Sequence, residues 1–447
     1  MKRKYFGTDG IRGRVGQQPM TVDFAMRLAN AAARVMAPDG GSVVIGKDTR
    51  VSGYMFESAL EAGFVAAGFD VYLLGPLPTP GIAHITHMFN ANLGVVISAS
   101  HNPFFDNGIK FFDSNGAKLS DEIELQIEAL AEGPVLTRDS MELGRAKRVD
   151  TARTKYQDFL RSTFPTDLDL SGMKIVIDAS HGAGYKVGPR CLAELGAEIV
   201  PIGCSPNGRN INADCGSTAP ELLQTTVTGV GADVGIALDG DGDRVLMVDE
   251  NGELLDGDQI LFLLAAEKQR LGELKGPVVG TVMSNLGLER ALADLGIDFV
   301  RAKVGDRYVL EMLREAGGIL GGETSGHMIC LDQTTTGDGL VTALQVLAIA
   351  KRSGRPLSEL SRGMKRYPQQ LINVRAEVGV DPNVHDGIRA ARARAETDLG
   401  DRGRVVLRAS GTEPVIRVMV EGDEAGLVER TATSLANAVK AAVHNPG

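Results

Sequence analysis

Leu192-Ala193-Glu194-Leu195-Gly196-Ala197-Glu198-Ile199-Val200 and Leu292-Ala293-Asp294-Leu295-Gly296-Ile297-Asp298-Phe299-Val300 match nearly residue for residue. In each, a helical pattern runs into a glycine and then into an apolar, β-rich stretch. Glycine accepts the left-handed conformation that ends a helix, which other residues resist. Upstream of the two copies lie the apolar runs Ile175-Val176-Ile177 and Val278-Val279-Gly280, so each reads strand, helix, glycine, strand. A third copy goes from Val43-Val44-Ile45 to Ala67-Gly68-Phe69-Asp70-Val71. This is βαβ grammar, and its apolar runs predict strands buried on both faces of parallel or mixed sheets. Three similar α/β domains with mixed sheets are expected.

The closing segment breaks the pattern. Strand-like Leu371 to Val378, helix-like Val384 to Leu399 and strands Val405 to Leu407 and Val415 to Val420 precede a last helix. In that helix Leu427, Val428, Thr431, Leu435 and Val439 share one face behind a cap at Asp423. A smaller C-terminal α+β domain follows from this. The expected domains span 1–150, 151–255, 256–368 and 369–447.

One strand in each domain empties into a polar, glycine-bearing or serine-rich loop, and open α/β sheets bind ligands outside the carboxyl ends of their strands. The loops are Ser98-Ala99-Ser100-His101-Asn102-Pro103, Asp239-Gly240-Asp241-Gly242-Asp243-Arg244, Gly322-Glu323-Thr324-Ser325-Gly326-His327 and Arg408-Ala409-Ser410-Gly411-Thr412-Glu413. One loop per domain predicts a single central cleft. In the second loop Asp239, Asp241 and Asp243 alternate with glycine, a spacing that lets carboxylate oxygens converge on a hard cation such as Mg²⁺. An EF-hand also fits in part, since Glu250 falls at position 12, but position 6 is Arg244 instead of glycine and both flanks read as strands. In the fourth loop Arg408, Ser410, Thr412 and Arg417 around Gly411 make the donor inventory of a phosphate site; a plain hairpin turn is the alternative. Ser100 reads either as a nucleophile or as a capping hydroxyl. No G-x-S-x-G elbow surrounds it, and the adjacent His101 reads more readily as a loop-ordering group than as its base. Beside a metal loop and an anion loop, a serine that carries a phosphoryl group is the favoured reading.

Two other motifs fall short. Gly182-Ala183-Gly184 with Gly188 misses dinucleotide spacing by one residue, which leaves an NAD enzyme remote. Gly41 with Gly46-Lys47 has P-loop spacing, but Asp48 stands where Ser or Thr is required.

Composition sets the outer limits. The 447 residues carry 57 acidic and 47 basic side chains, a formal charge of −10, which argues against sequence-independent nucleic-acid binding. Cys191, Cys204, Cys215 and Cys330 form no C-x-x-C pair and suit reduced thiols. The start Met1-Lys2-Arg3-Lys4 meets no apolar segment, and no run approaches the roughly 18 residues of a spanning helix. A cytoplasmic protein without membrane or nucleic-acid partner is expected.

Taken together, the four loops resemble those of the α-D-phosphohexomutases, four-domain enzymes that move a phosphoryl group between the 6 and 1 positions of a sugar. The likeness covers the whole chain, in the order phosphoserine, magnesium, sugar and phosphate loop. Phe6-Gly7-Thr8-Asp9-Gly10-Ile11-Arg12-Gly13 and Val304-Gly305-Asp306-Arg307-Tyr308-Val309 look like the branch acting on glucosamine phosphates. The resemblance implies phosphoserine at Ser100 and one Mg²⁺ held by Asp239, Asp241, Asp243 and a phosphoserine oxygen. Arg12, Lys110 and Arg244 would balance that charge. Lys110 and His327 are the implied proton-transfer groups with Arg12 assisting, and His101 completes the catalytic candidates; for Lys110 the bland alternative is a solvated strand-end lysine. Glu323 and Ser325 would hold sugar hydroxyls, while Arg408, Ser410, Gly411, Thr412 and Arg417 would grip the idle phosphate. Glucosamine 1,6-bisphosphate would be the intermediate, turning over in a cleft opened by a hinge near Tyr367-Pro368. A small phosphosugar is the implied partner, with room for a homodimer. Two alternatives stand beside this reading: the same chemistry on mannose or glucose phosphates, and a non-catalytic sugar-phosphate binding protein.

Overall fold

The apolar runs that open the three repeats become interior strands of three mixed sheets, in a computed structural model that describes residues 3–376, 385–409 and 414–444. The first sheet holds β1 (Ile11–Arg14), β2 (Gly41–Lys47), β3 (Phe69–Pro76), β4 (Leu93–Ile97), β5 (Asp106–Asp113) and β6 (Ala146–Arg148) in the order β1-β5-β4-β2-β3-β6. Its β2 pairs in parallel with β3 and β4, whereas β5 runs antiparallel to both β4 and β1. The second sheet orders β7 (Lys174–Asp178), β8 (Glu198–Ile202), β9 (Val234–Leu238), β10 (Val245–Val248) and β11 (Leu254–Leu255) as β11-β10-β9-β7-β8. The third places β12 (Val278–Thr281), β13 (Phe299–Ala302), β14 (Leu320–Gly322) and β15 (Met328–Cys330) as β13-β12-β14-β15. Gly68, Gly196 and Gly296, the glycines that close the repeats, all adopt positive φ, at 85°, 101° and 69°.

The expectation of burial on both faces fails for β8 and β13. Both lie at the edges of their sheets, where Glu198 and Pro201 are exposed and Phe299 and Val300 only half-buried. An edge strand is covered on one face by its own helix and open on the other. Pro201 carries the signal, since proline cannot donate to a ladder and is confined to such edges.

The fourth sheet is antiparallel, with β16 (Gln369–Arg375), β17 (Gly403–Ala409) and β18 (Val415–Gly422) in the order β16-β18-β17. The helices Asp386–Leu399 and Ala425–His444 pack on it, and Val428, Leu435 and Val439 join its core as their spacing predicts. Val378 and Val384, the expected ends of the strand and helix between them, lie outside the described residues. The chain is thus three α/β domains and a smaller α+β domain.

These domains do not have four separate cores. A single apolar cluster runs from Val44, Ile82 and Phe112 through Tyr156, Ile177 and Ile236 to Leu320, Leu344 and Leu347. The helix Gly339–Ser353, which follows the third sheet, lies against β9 and β10 of the second. Asp338 starts it, accepting from the backbone amides of Leu340 and Val341 at 2.9 and 3.0 Å and from the Tyr156 hydroxyl at 2.8 Å. Beside it the first domain keeps a second cluster of its own, from Phe6 and Phe24 through Phe64 to Ile127, and the last domain keeps a separate core. The chain enters it through Tyr367, whose backbone exchanges two hydrogen bonds with the Asn285 side chain at 2.9 and 3.0 Å. Among the described residues no helix is long and apolar enough to cross a membrane.

Candidate active site

Beyond Ile97 the backbone turns through Ser98-Ala99-Ser100, and Ser100 sits at φ 50°. A side chain in the left-handed region costs about 1–3 kcal/mol and persists only where neighbours enforce it. Here Ser98 Oγ accepts from Ser100 N at 2.9 Å and donates to Asp48 Oδ2 at 2.6 Å. Asp48 pairs with Arg50, a fully buried guanidinium whose Nη2 donates to Ser100 O at 3.1 Å and to Asn102 O. The Ser100 hydroxyl is left to donate to Asp239 Oδ2, 2.6 Å away, with His101 Nδ1 at 3.3 Å. Burial, with Arg244 and Arg12 nearby, pushes the His101 pKa down to about 4, so its ring is neutral near pH 7.

Asp239, Asp241 and Asp243 follow β9, each bringing one carboxylate oxygen within 4.8 Å of the others. Strands flank them on both sides, which excludes an EF-hand, and the Glu250 carboxylate is turned away to accept from Ser358. Burial and the neighbouring Asp243 and Asp241 push the Asp239 carboxyl well above the usual range. Lys110 corrects the bland alternative: it lies inside β5, 2% exposed, with Nζ 2.9 Å from Asp241, 2.8 Å from Asp9 and 3.6 Å from Asp243. Burial works against its charge, but Asp241, Asp9 and Asp243 outweigh it and hold its pKa above the lysine range. Asp241 Oδ1 and Asp243 Oδ1 remain buried without a hydrogen-bond partner among the described residues. Three hard carboxylates with two unpartnered oxygens are a donor set that fits a divalent cation.

The Glu323 to His327 loop joins β14 to β15. Gly326, at φ 90°, lets it rest on the acidic loop: a Cβ there would lie 2.1 Å from Val245 O, and Val245 N donates to Gly326 O at 3.1 Å. His327 stands between Asp243 at 3.7 Å and Asp306 at 3.5 Å. Burial opposes its charged form, yet Asp243 and Asp306 prevail and push its pKa up to about 9. Glu323 Oε1 accepts from Gly305 N at 2.9 Å, and Lys118 Nζ bridges Asp9 and Asp306 at 2.5 Å each, tying the first domain to the third.

A cleft of about 640 Å³ opens over these groups, lined by Arg12 and His101 of the first domain, Arg244 of the second, Ser325 of the third and Arg417 of the fourth. Arg417 faces Arg408 across the β17–β18 ladder. Burial and Arg417 hold the Arg408 pKa below the guanidinium range, so the pair favours an anion between them. Ser410, Gly411 and Thr412 lie outside the described residues. The other candidate residues meet at this cleft or directly beneath it, except Arg408, which lies opposite the cleft-lining Arg417 in the ladder.

Four family models of phosphoglucomutase/phosphomannomutase match the chain: alpha/beta/alpha domain I at residues 3–135, domain II at 154–252, domain III at 256–367 and the C-terminal domain at 371–438. Curated phosphoglucosamine mutases of Nitrosococcus oceani and Aeromonas hydrophila are 57% and 55% identical to it, each aligned over at least 99% of both chains. The chain belongs to the phosphoglucomutase/phosphomannomutase family. A solved family protein from Burkholderia thailandensis superposes with a TM-score of 0.82 at 27% identity, covering 97% of each chain. The Aspergillus fumigatus N-acetylphosphoglucosamine mutase, solved with GlcNAc-6P and magnesium, shares the fold at TM-score 0.69 and 19% identity over 99% of this chain and 96% of that one.

Asp9, Asp48, Arg50, Lys118 and Asp306 had no individual role in the sequence reading, although Asp9 and Asp306 stand in its two branch-marking segments. Asp48 and Arg50 sit in the segment set aside as a failed P-loop, although a strand end carrying Lys-Asp-Thr-Arg was itself a signal. Lys118 had none.

Beneath the Glu323 to His327 loop of this phosphoglucomutase/phosphomannomutase fold lies Asp258, whose Oδ2 accepts from Thr324 Oγ1 at 2.9 Å and Asn285 N at 2.8 Å. Burial and Asp256 raise its pKa to about 7. The folded state therefore holds this proton more tightly than the unfolded chain, whose Asp titrates near pH 4, so stability falls as pH rises from about 4 to about 7. Asp258→Asn, which mimics the protonated acid, is expected to raise the melting temperature by a few degrees at pH 8 and to change little at pH 5. Calorimetric scans at the two pH values check it; an equal shift at both contradicts it.

Proposed function

We infer that this chain is a phosphoglucosamine mutase, an isomerase that interconverts glucosamine 6-phosphate and glucosamine 1-phosphate. Full-length relatives of that name at 54–57% identity support the activity. One observation carries the chemistry: the Ser100 hydroxyl, held in a left-handed turn, lies 2.6 Å from a buried triple-aspartate loop at the floor of a cleft shared by all four domains.

In this reading the resting enzyme carries phosphate on Ser100. The O1 hydroxyl of glucosamine 6-phosphate attacks that phosphorus; the Ser100 O–P bond breaks, an O1–P bond forms, and the O1 proton passes to a neighbouring base while the serine oxygen regains one. The resulting glucosamine 1,6-bisphosphate reorients and returns its 6-phosphoryl group to Ser100 by the same exchange in reverse, leaving glucosamine 1-phosphate. Asp239, Asp241 and Asp243, with a phosphoryl oxygen on Ser100, would hold one Mg²⁺, whose charge offsets that of two phosphates brought together. Lys110 and His327 are the proton-transfer groups, and Arg12 and Arg244 orient the reacting phosphoryl group. Glu323 and Ser325 bind hydroxyls of the sugar, and Arg408 and Arg417, with the Ser410 to Thr412 turn, grip the phosphate that is not reacting.

The test is relative turnover of glucosamine, glucose and mannose 6-phosphates by the phosphorylated protein, with Mg²⁺ and a trace of the matching bisphosphate. The amino sugar is expected to lead in kcat/KM by at least tenfold, about 1.4 kcal/mol of transition-state discrimination. A lead for glucose or mannose would move the chain to the other branch and leave the loops in place.

A further inference from the structure

We infer that Asn212 is a positioning residue for phosphoryl transfer: reaching across from the second domain, it holds the backbone on both sides of His101 and so fixes the Ser100 oxygen over the acidic loop. The inference rests on Ser100 as the phosphoryl carrier. Asn212 lies between β8 and β9, in Asn210-Ile211-Asn212-Ala213-Asp214, a stretch outside all four chemical loops. Its Nδ2 donates to Ser100 O at 2.9 Å and to Asn102 O at 3.0 Å. These are the same two carbonyls that Arg50 holds from within the first domain.

The two donors do different work. Arg50 and its partner Asp48 belong to the same sheet as the Ser100 loop, so they shape the loop but do not set its distance from the second domain. Asn212 comes from the domain that carries the aspartates. It adopts φ 57°, a conformation asparagine tolerates better than most residues, and its backbone N donates to Ser180 O at 2.9 Å. Ser180, at φ 55°, in turn donates its hydroxyl to the carbonyl of Leu238, the residue just before Asp239. At Gly240 the two loops touch: a Cβ there would lie 2.6 Å from Ser100 O and 2.8 Å from Asn212 Nδ2. A continuous path therefore runs from the Ser100 carbonyl through Asn212 and Ser180 to the strand end that launches the aspartates. A misplacement of about 1 Å at a reacting atom is enough to cost about 10²-fold in rate.

The experiment uses full-length enzyme labelled on Ser100 with glucosamine 1,6-bisphosphate and measures single-turnover transfer to glucosamine 6-phosphate. Asn212→Gly keeps the left-handed backbone and removes both hydrogen bonds; Asn212→Ser tolerates the same conformation, as Ser100 and Ser180 do, and is too short to reach the two carbonyls. Both are expected to slow transfer about 10²-fold, with sugar-phosphate affinity by calorimetry within a few-fold of wild type and the melting temperature nearly unchanged. Loss of label to water relative to sugar is expected to rise. Wild-type transfer rates in both variants, or slowing matched by lost affinity or early melting, overturn the inference. If wild-type protein turns over yet takes no label on Ser100, the phosphoserine reading fails instead, and the two failures are told apart.

Discussion

Ser100→Ala is expected to lower kcat by at least about 10⁴-fold while glucosamine 6-phosphate still binds within a few-fold of its wild-type affinity. The hydroxyl that disappears is the one 2.6 Å from Asp239, and no other described hydroxyl stands at that place over the acidic loop. Thr79 Oγ1 comes nearest in kind, but it already donates to Asp241 Oδ2 at 2.8 Å. His101 Nδ1, at 3.3 Å, belongs to a neutral ring and supplies no hydroxyl. Substrate binding is expected to survive because the residues proposed to hold the phosphate and the sugar, Arg417, Glu323 and Ser325, line the cleft apart from Ser100. A coupled assay gives kcat, calorimetry gives affinity, and mass spectrometry of the intact protein reports the phosphate. Normal turnover by the alanine variant would sink the phosphoserine mechanism and, with it, the argument for Asn212.

Removal of divalent cations comes second, with an expected loss of about 10³-fold in turnover, restored by adding Mg²⁺. Three buried carboxylates stand close together, and Lys110 neutralises only part of their charge. Burial and its two neighbours raise the Asp239 pKa, as expected of a carboxylate with no cation to offset its charge. A divalent cation would offset that charge, so the metal-free protein should bind sugar phosphate more weakly as well as turn it over slowly. The same electrostatics predicts that Mg²⁺ raises the melting temperature of the wild type, because a ligand that binds only the folded state stabilises it. Asp241→Asn should abolish that rise. A chelated enzyme with full activity, or a melting temperature indifferent to Mg²⁺, contradicts the metal assignment.

The fold was legible where chain chemistry is local. Glycines at the ends of helices, uninterrupted apolar strands and the alternating aspartates each impose a conformation on their own few residues, and the structure places them as read. Long-range geometry was less legible. The sequence repeats of β8 and β13 look like interior strands, and only the order of the sheets makes them edges. For Lys110, a proton-transfer candidate only by resemblance, the spacing leaves a solvated lysine open until its three aspartates arrive from the first and second domains. The fully buried Arg50 was masked by a motif that nearly fits something else. Asn212 had no signal, because its importance lies in which carbonyls it meets and not in its neighbours along the chain.

The shared apolar cluster has a consequence for biosynthesis. Because Ile82 and Phe112 near the amino end lie in one cluster with Leu344 and Leu347, the first domain cannot finish burying its apolar surface when its own residues leave the ribosome. That face is first covered by the helix Ala152–Ser162, which packs on the helix Thr79–Met88, and the cluster is complete only when the helix Gly339–Ser353 has emerged. Until then the nascent chain carries an incompletely covered apolar face, the kind of surface that holdase chaperones recognise. The last domain, with its private core, is free to fold afterwards on its own schedule.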